Sequence, residues 1–197
     1  MAERDLHVVF GTGQVGSALA ARLVTTGRAV RAVSQHRPAS LVNDVEWLRA
    51  DVADAEVATD VAKGASVIYQ CLNAPYTKWP ALFPRLQAGV LVAAERTDAL
   101  LVSLENVYGY GPTHGVPMTE EHPLAATTVK GRTRATMTRD LIDASDAGRV
   151  RISIGRASDF FGAGVTESTL GDRVFAKALA GQRVDLLGDP SLLHTYS

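Results

Sequence analysis

Short apolar runs and longer amphipathic stretches alternate along the whole chain. Apolar runs of about four to eight residues are typical of buried strands, and apolar positions with a period of about 3.6 residues indicate helices. The predicted strands are Leu6–Phe10, Ala29–Ser34, 45–48, 65–72, 99–104 and 150–155. The predicted helices are 17–23, 57–63, 79–96, 130–147 and 172–180, with a kink or a restart at Pro84 in the third. The alternation predicts an α/β fold in which helices cover both faces of a doubly wound parallel sheet.

The turn between the first strand and the first helix carries three glycines, in the order Gly11-Thr12-Gly13-Gln14-Val15-Gly16. Gly11 allows a turn with positive φ, Gly13 lets the backbone approach a pyrophosphate, and Gly16 lets the helix pack closely on the strand. Unpaired amide groups and the helix dipole favour an anion at this point. The pattern therefore predicts a dinucleotide site that is formed by all six residues of the turn.

The end of the second strand predicts which dinucleotide is bound. An acidic residue at this point pairs with a free ribose 2′-hydroxyl, whereas an arginine accommodates a 2′-phosphate. The segment here is Ser34-Gln35-His36-Arg37, without Asp or Glu. It favours NADP over NAD, with Ser34 and Arg37 as phosphate contacts. The alternative is that this segment is only a polar loop exposed to solvent, in which such residues are common.

Further candidate cofactor residues follow the later strands. Asp51, next to Val52, could accept a hydrogen bond from the adenine amino group, or it could cap the next helix. Asn73 and Ala74 end the fourth strand, and Ser103 lies near the end of the fifth. The carboxyl ends of parallel strands share one edge of a sheet, so these residues are expected near the glycine turn.

Composition narrows the range of partners. The net charge is −1, and the Lys and Arg residues are dispersed rather than clustered, so nucleic acid is not an expected partner. The single cysteine, Cys71, lies in an apolar run and is interpreted as a structural thiol in a reducing compartment. The charged N-terminus and the lack of a membrane-length apolar run predict a cytoplasmic protein without a membrane partner. No metal site is predicted.

Five segments together carry a family resemblance: the glycine turn, Asp51-Val52, Asn73-Ala74, Asn106-Val107-Tyr108-Gly109, and a segment from Arg156 to Gly164. They resemble the extended or atypical short-chain dehydrogenases/reductases, which include nucleotide-sugar epimerases and dehydratases. The resemblance implies a Rossmann-type dinucleotide-binding domain at 1–165, followed at 166–197 by the start of a substrate-binding region. Members of that family continue well beyond this length, so the chain is expected to be truncated at its C-terminus.

The catalytic positions depart from the family pattern. The family uses a tyrosine, a lysine four residues later on the same helix face, and a hydroxyl from the end of the fifth strand. Here Lys130 and Arg134 stand at the tyrosine and lysine positions, and Leu104 stands at the hydroxyl position. Ser103, one residue away, is expected to face the other side of the sheet.

Substitute catalytic groups are nevertheless present. Lys130 could donate a proton or polarise a carbonyl, and Tyr108 could supply a phenol. Arg134 and Asn106 complete the candidate set. The alternatives are two solvated cations on a helix face, and tyrosines that serve packing.

Two functions remain open from the sequence. One is an NADP-dependent oxidoreductase or epimerase/dehydratase-like enzyme that acts on a carbonyl or secondary alcohol, such as a nucleotide sugar. The other is a non-catalytic NADP(H)-binding redox sensor or regulatory protein. A small-molecule substrate is expected, and apolar surface left by missing segments would favour a homodimer.

Overall fold

The computed structural model of the protein describes residues 5–162, 165, 168, 170–171, 173–186, 189 and 191. The strands in these residues are β1 (Leu6–Phe10), β2 (Ala29–Ser34), β3 (Glu46–Arg49), β4 (Ala65–Gln70), β5 (Leu100–Asn106) and β6 (Ile152–Ala157). The α-helices are α1 (Gln14–Thr25), α2 (Ala55–Ala62), α3 (Trp79–Thr97), α4 (Val129–Asp146) and α5 (Phe175–Leu179). One sheet holds all these strands in the order β3-β2-β1-β4-β5-β6, with parallel pairing from β3 through β5. The predicted α/β fold is confirmed.

Alternation along β1 creates two hydrophobic cores. Successive side chains of a strand point to opposite faces, so Val8 and Phe10 face one side and Val9 faces the other. Val8 and Phe10 pack in the larger core, to which α2, α3 and α4 also contribute. Val9 packs in a second core with Ala20 of α1. Helices therefore cover both faces, as the alternating pattern predicts.

The chain divides into two compact units, Met1–Gly155 and Arg156–Ser197. The first unit contains β1 to β5 and α1 to α4. Among the described residues of the second, Phe161 and Phe175 pack with their ring centroids 5.2 Å apart. The predicted domain boundary at 165/166 lies later than this division and stays a prediction.

Element boundaries differ from the sequence predictions where a cap or a hydrogen bond decides them. The second helix begins at Ala55 rather than at 57, because the Asp54 side chain accepts hydrogen bonds from the amides of Glu56 and Val57. The restart predicted at Pro84 is wrong, since α3 runs without interruption through this residue. Pro84 lies inside α3, where its missing amide removes the hydrogen bond to the carbonyl of Pro80 without ending the helix. Two predicted positions, Asp172 and Gly164, lie outside the described residues.

None of the helices in the described part of the chain is long and apolar enough to cross a membrane.

Candidate functional site

Two glycines of the turn between β1 and α1 are required by packing. Gly11 has φ +94°, and a Cβ built on it would lie 2.5 Å from the carbonyl oxygen of Cys71. A Cβ on Gly16 would lie 1.9 Å from the carbonyl oxygen of Gly11. Any larger residue at either position would push the turn away from the end of β4 or away from α1.

Gly13 has the opposite environment, because a Cβ on it would meet no atom within 4 Å. Its backbone is extended, with φ −68° and ψ −166°, so other residues could adopt it without strain. Gly13 is the N-cap of α1, and no side chain caps this helix. The space beside the N-cap of α1 is therefore open, and a helix N-terminus with such a space suits a pyrophosphate. The turn fits a dinucleotide.

The sheet topology places this turn at the point where ligands bind in such folds. The strand order reverses between β1 and β4, and ligands of such folds bind beyond the carboxyl ends of the strands at this point. The Cys71 amide donates to the carbonyl of Phe10 at 2.8 Å, which holds the two strand ends together. The predicted Asn73 is exposed in the loop after β4, while Ala74 is buried and its carbonyl accepts from Trp79 Nε1 at 2.9 Å.

The candidate 2′-phosphate contacts, Ser34 and Arg37, differ in how far they are already engaged. Ser34 Oγ accepts from Thr12 Oγ1 at 2.7 Å and from Trp47 Nε1 at 3.0 Å, and it donates to the carbonyl of His36 at 2.8 Å. A phosphate at Ser34 would have to replace one of these bonds. Arg37 is exposed in the loop after β2. The guanidinium of Arg37 is thus the more accessible of the two groups.

Asp51 does not cap a helix, so that alternative is wrong. Its carboxylate accepts from the amide of Ala53 at 3.1 Å, within its own turn, and the N-cap of α2 is Asp54. Asp51 is exposed, whereas Val52 is 3% exposed. The adenine contact predicted for Asp51 stays a prediction.

Lys130 and Tyr108 are brought together at one cavity of about 600 Å³. Its described lining comes from the loops after β4 and β5 and from the start of α4: Tyr76, Tyr108, Tyr110, Gly111, Pro112, Ala126, Thr127, Thr128, Val129 and Lys130. Lys130 Nζ lies 3.7 Å from the centroid of the Tyr76 ring, and Tyr108 packs against Trp79 with centroids 5.8 Å apart. The two leading catalytic candidates therefore share one site.

Arg134 lies in the interior, so its interpretation as a solvated cation is wrong. It is 2% exposed, and its Nη2 lies 3.8 Å from Oε1 of Glu105, which is 3% exposed. The guanidinium carbon is 4.6 Å from the centroid of the Phe83 ring. Burial lowers the pKa of Arg134, and the negative charge of Glu105 opposes this shift. Thr138 donates to the other oxygen of Glu105, so the pair is part of a buried polar cluster.

The remaining candidates at the end of β5 have structural partners. Asn106 Oδ1 accepts from the amide of Tyr108 at 3.1 Å and so shapes the turn that presents this tyrosine. Ser103 is 1% exposed, and its Oγ accepts from Gln70 Nε2 at 3.0 Å. Leu101, Ser103 and Glu105 occupy the buried positions of β5, and Leu104 is on the opposite face as expected.

Sequence reasoning missed three residues around this site: Tyr76, Trp79 and Glu105. Trp79 packs edge-on to Tyr76, with centroids 5.2 Å apart, and forms one aromatic wall with Tyr76 and Tyr108. Glu105 could have been found from its parity, because it alternates with apolar residues on the buried face of β5. No local pattern marks Tyr76, which reaches the cavity from a different loop.

Cys71 is half-buried beside the glycine turn. Burial raises the pKa of its thiol to about 11, so the group is a neutral thiol near pH 7. This agrees with its interpretation as a structural residue. In the residues that the structure describes, no three His, Cys, Asp or Glu side chains are grouped as metal ligands.

The strand order, the flanking helices and the glycine turn define a Rossmann-type α/β fold. The chain belongs to the NAD dependent epimerase/dehydratase family, whose sequence pattern matches residues 8–192. The predicted resemblance to an epimerase/dehydratase family is confirmed.

Individual relatives are distant. The chain is 31% identical over 121 residues to dTDP-4-dehydrorhamnose reductase of Streptomyces griseus, a match that covers 61% of this chain and 34% of the reductase. It is similar in fold to UDP-glucose 4-epimerase from Brucella ovis in complex with NAD, with a TM-score of 0.73, 20% identity and coverage of 81% and 53% of the two chains. The Bordetella bronchiseptica enzyme WbmG in complex with NAD and UDP gives a TM-score of 0.76 and 17% identity, with coverage of 92% and 61%. The chain thus spans between half and two thirds of these structures.

Proposed function

We propose that this chain binds NAD(P) at the turn between β1 and α1 and that it is the dinucleotide-binding part of an oxidoreductase of the epimerase/dehydratase type. The observation that carries the proposal is the contrast between Gly13, which faces open space at an uncapped helix end, and Gly11 and Gly16, which are packed tightly. When bound, NAD(P) supplies or accepts a hydride. Its pyrophosphate would be held by the amides at the start of α1.

Within this proposal NADP is the preferred form. Arg37 is exposed after β2, and the segment from Ser34 to Arg37 contains no carboxylate that would repel a 2′-phosphate. Arg37 is expected to contribute more than Ser34, because the Ser34 hydroxyl is already bonded to three groups.

The proposed chemistry acts on a carbonyl or a secondary alcohol. Lys130 takes the place of the family tyrosine and Arg134 that of the lysine, in a Lys130-x-x-x-Arg134 arrangement. The Lys130 ammonium has three donors with which to polarise a carbonyl oxygen or to pass a proton to it, and the phenol of Tyr108 is a second donor at the same cavity. Nucleotide sugars are a substrate class to test, since WbmG binds UDP.

The deciding experiment is NADPH oxidation with a panel of aldehydes, ketones and oxidised nucleotide sugars. Lys130→Met and Tyr108→Phe are each expected to slow turnover by about a hundredfold or more. Lys63→Met is the matched control, because Lys63 is an exposed lysine that is paired with Asp60 on α2. Full activity in both site variants would refute the assignment of these residues.

A second function, a non-catalytic NADP(H) sensor or regulatory protein, is favoured by one observation. Arg134, at the position of the family lysine, is buried against Glu105 instead of facing the cavity edge where Lys130 lies. Tight NADPH binding without turnover of any substrate would support this function. Activity gained only in the Lys130→Tyr/Arg134→Lys double variant would show that the site binds cofactor but lacks its own proton donor.

Oligomeric state and location complete the proposal. We expect a homodimer, which light scattering of the purified chain would detect. We also expect a reducing compartment such as the cytoplasm, because the single cysteine has no partner within the chain for a disulfide. Fractionation of the native cells tests the location.

A further inference from the structure

The walls of the cavity at Lys130 are largely aromatic and aliphatic. Tyr76, Tyr108 and Tyr110 line it together with aliphatic side chains such as Pro112 and Val129. Tyr76 is 54% exposed and Tyr108 is 39% exposed. Exposed aromatic faces around a concave volume are suited to a flat apolar ligand.

These aromatic faces are held in place by a buried anchor. Trp79 is 6% exposed and donates its indole N–H to the carbonyl of Ala74 at 2.9 Å. Tyr76 and Tyr108 both pack against its ring, at centroid distances of 5.2 and 5.8 Å. A wall that is already ordered loses little conformational entropy when a ligand stacks on it.

The described lining of the cavity carries a positive charge and no carboxylate. Lys130 is the one charged side chain in the described lining, and its nearest aromatic partner is the face of Tyr76. No carboxylate among the described residues forms an ion pair with Lys130. The first residues of α4 also line the cavity, so the positive end of that helix adds to the potential. One ammonium beside an aromatic wall matches a ligand with one negative charge better than a diphosphate, which carries more.

We propose that this cavity binds a planar aromatic compound with a single anionic group, such as an aryl carboxylate or a phenolate, with its ring beside Tyr76 and Tyr108 and its charge at Lys130. This names the substrate class of the site and rests on the proposed function in treating the cavity as the substrate site. Binding itself needs no cofactor, so the two proposals can be tested separately. A volume of about 600 Å³ accommodates a two-ring compound.

The test is calorimetric titration of the full chain, without cofactor, with 2-naphthoate. Two analogues separate the contributions of ring and charge: 2-naphthalenemethanol lacks the charge, and cyclohexanecarboxylate lacks the aromatic ring. Each is expected to bind about tenfold or more weakly than 2-naphthoate. Equal affinities of the three compounds would overturn the proposal.

Matched variants assign the effect to the named residues. Lys130→Met should weaken 2-naphthoate about tenfold, and Lys130→Arg should restore most of the loss, because it returns the charge. Tyr76→Leu should weaken binding, whereas Tyr76→Phe keeps the ring and should bind as the wild type does. Lys63→Met controls for the loss of a lysine elsewhere, and circular dichroism checks that each variant is folded. Wild-type affinity in both Lys130→Met and Tyr76→Leu would refute the site.

UDP-glucose and NADPH, titrated on the same samples, separate the possible failures. If UDP-glucose binds more tightly than 2-naphthoate and depends on Lys130, the aromatic class is wrong and the nucleotide-sugar class is favoured. If NADPH binds and 2-naphthoate does not, this inference fails while the proposed function stands. If 2-naphthoate binds through Lys130 and NADPH does not bind, the cavity is assigned correctly and the proposed function fails.

Discussion

Alanine substitutions at Gly13 and Gly16 of the turn should separate cofactor binding from folding. Gly13→Ala adds a methyl group that meets no protein atom within 4 Å, in a backbone conformation that alanine adopts without strain. Alanine is a less favourable N-cap residue than glycine, so the variant should lose about 1 kcal/mol or less of unfolding free energy. The methyl group would occupy the space through which a pyrophosphate approaches the start of α1.

The binding loss in Gly13→Ala can be estimated from the contacts at stake. A hydrogen bond to a charged group is worth about 1.5–3 kcal/mol, so losing one corresponds to about a tenfold to a hundredfold weaker Kd. Titration of the NADPH fluorescence measures this ratio directly. Wild-type affinity in a folded Gly13→Ala variant would refute the assignment of this turn as the pyrophosphate site.

Gly16→Ala should act on the fold instead. Its Cβ would lie 1.9 Å from the Gly11 carbonyl oxygen, far inside ordinary van der Waals contact. Overpacking of this kind costs about 1–3 kcal/mol, and at this chain length each kcal/mol lowers Tm by about 2–4 °C. Gly148→Ala is the stability control. Gly148 lies just beyond α4 with φ +67°, so an alanine there is strained by its backbone conformation but its Cβ meets no atom within 4 Å. A Gly16→Ala variant with wild-type Tm would contradict the packing described for the turn.

Four further predictions follow from the described contacts. Arg37→Ala should weaken NADPH about tenfold while leaving NADH unchanged, and equal affinity of the wild type for the two cofactors would argue against a 2′-phosphate contact. Arg134→Met should destabilise the fold by about 3–5 kcal/mol in urea unfolding, since it leaves Glu105 buried without its cation, and the Arg134→Met/Glu105→Gln double variant should recover part of this loss. Alkylation of Cys71 should be slow at pH 8 and should rise towards pH 11 as the thiol with a pKa of about 11 ionises, whereas fast modification at pH 8 in the folded state would contradict its burial. Light scattering should show self-association, and a monodisperse monomer at all concentrations would count against a homodimer.

The fold was largely readable from the sequence because its signals are local. β1 and β2 have the predicted bounds, since an apolar run that ends in a glycine turn or a polar loop marks a strand directly. The ends of other elements differ from the predicted ones where a hydrogen bond determines them, as the Asp54 cap does at the start of α2. The glycine pattern predicted a turn with positive φ at Gly11, and the structure has one.

The candidate site was readable only in part. Spacing on α4 singled out Lys130 and the end of β5 singled out Tyr108, and both residues line the same cavity. The burial of Arg134 was not predicted, because a cation in a helix is usually solvated and its partner Glu105 lies on a strand well before it in the sequence. Whether such a charge is exposed depends on the elements that pack around it.

The sequence by itself thus determined the succession of strands and helices along the chain and the conformation of the glycine turn, because periodicity and backbone preference act over a few neighbouring residues. Only the tertiary structure decided that Tyr76, Tyr108 and Lys130 share one cavity and that Arg134 is buried and paired with Glu105. These contacts join loops and helices that are distant along the chain. They form because the parallel sheet brings the carboxyl ends of its strands to one edge. The helices then pack on the sheet and bury the side chains between helix and strand.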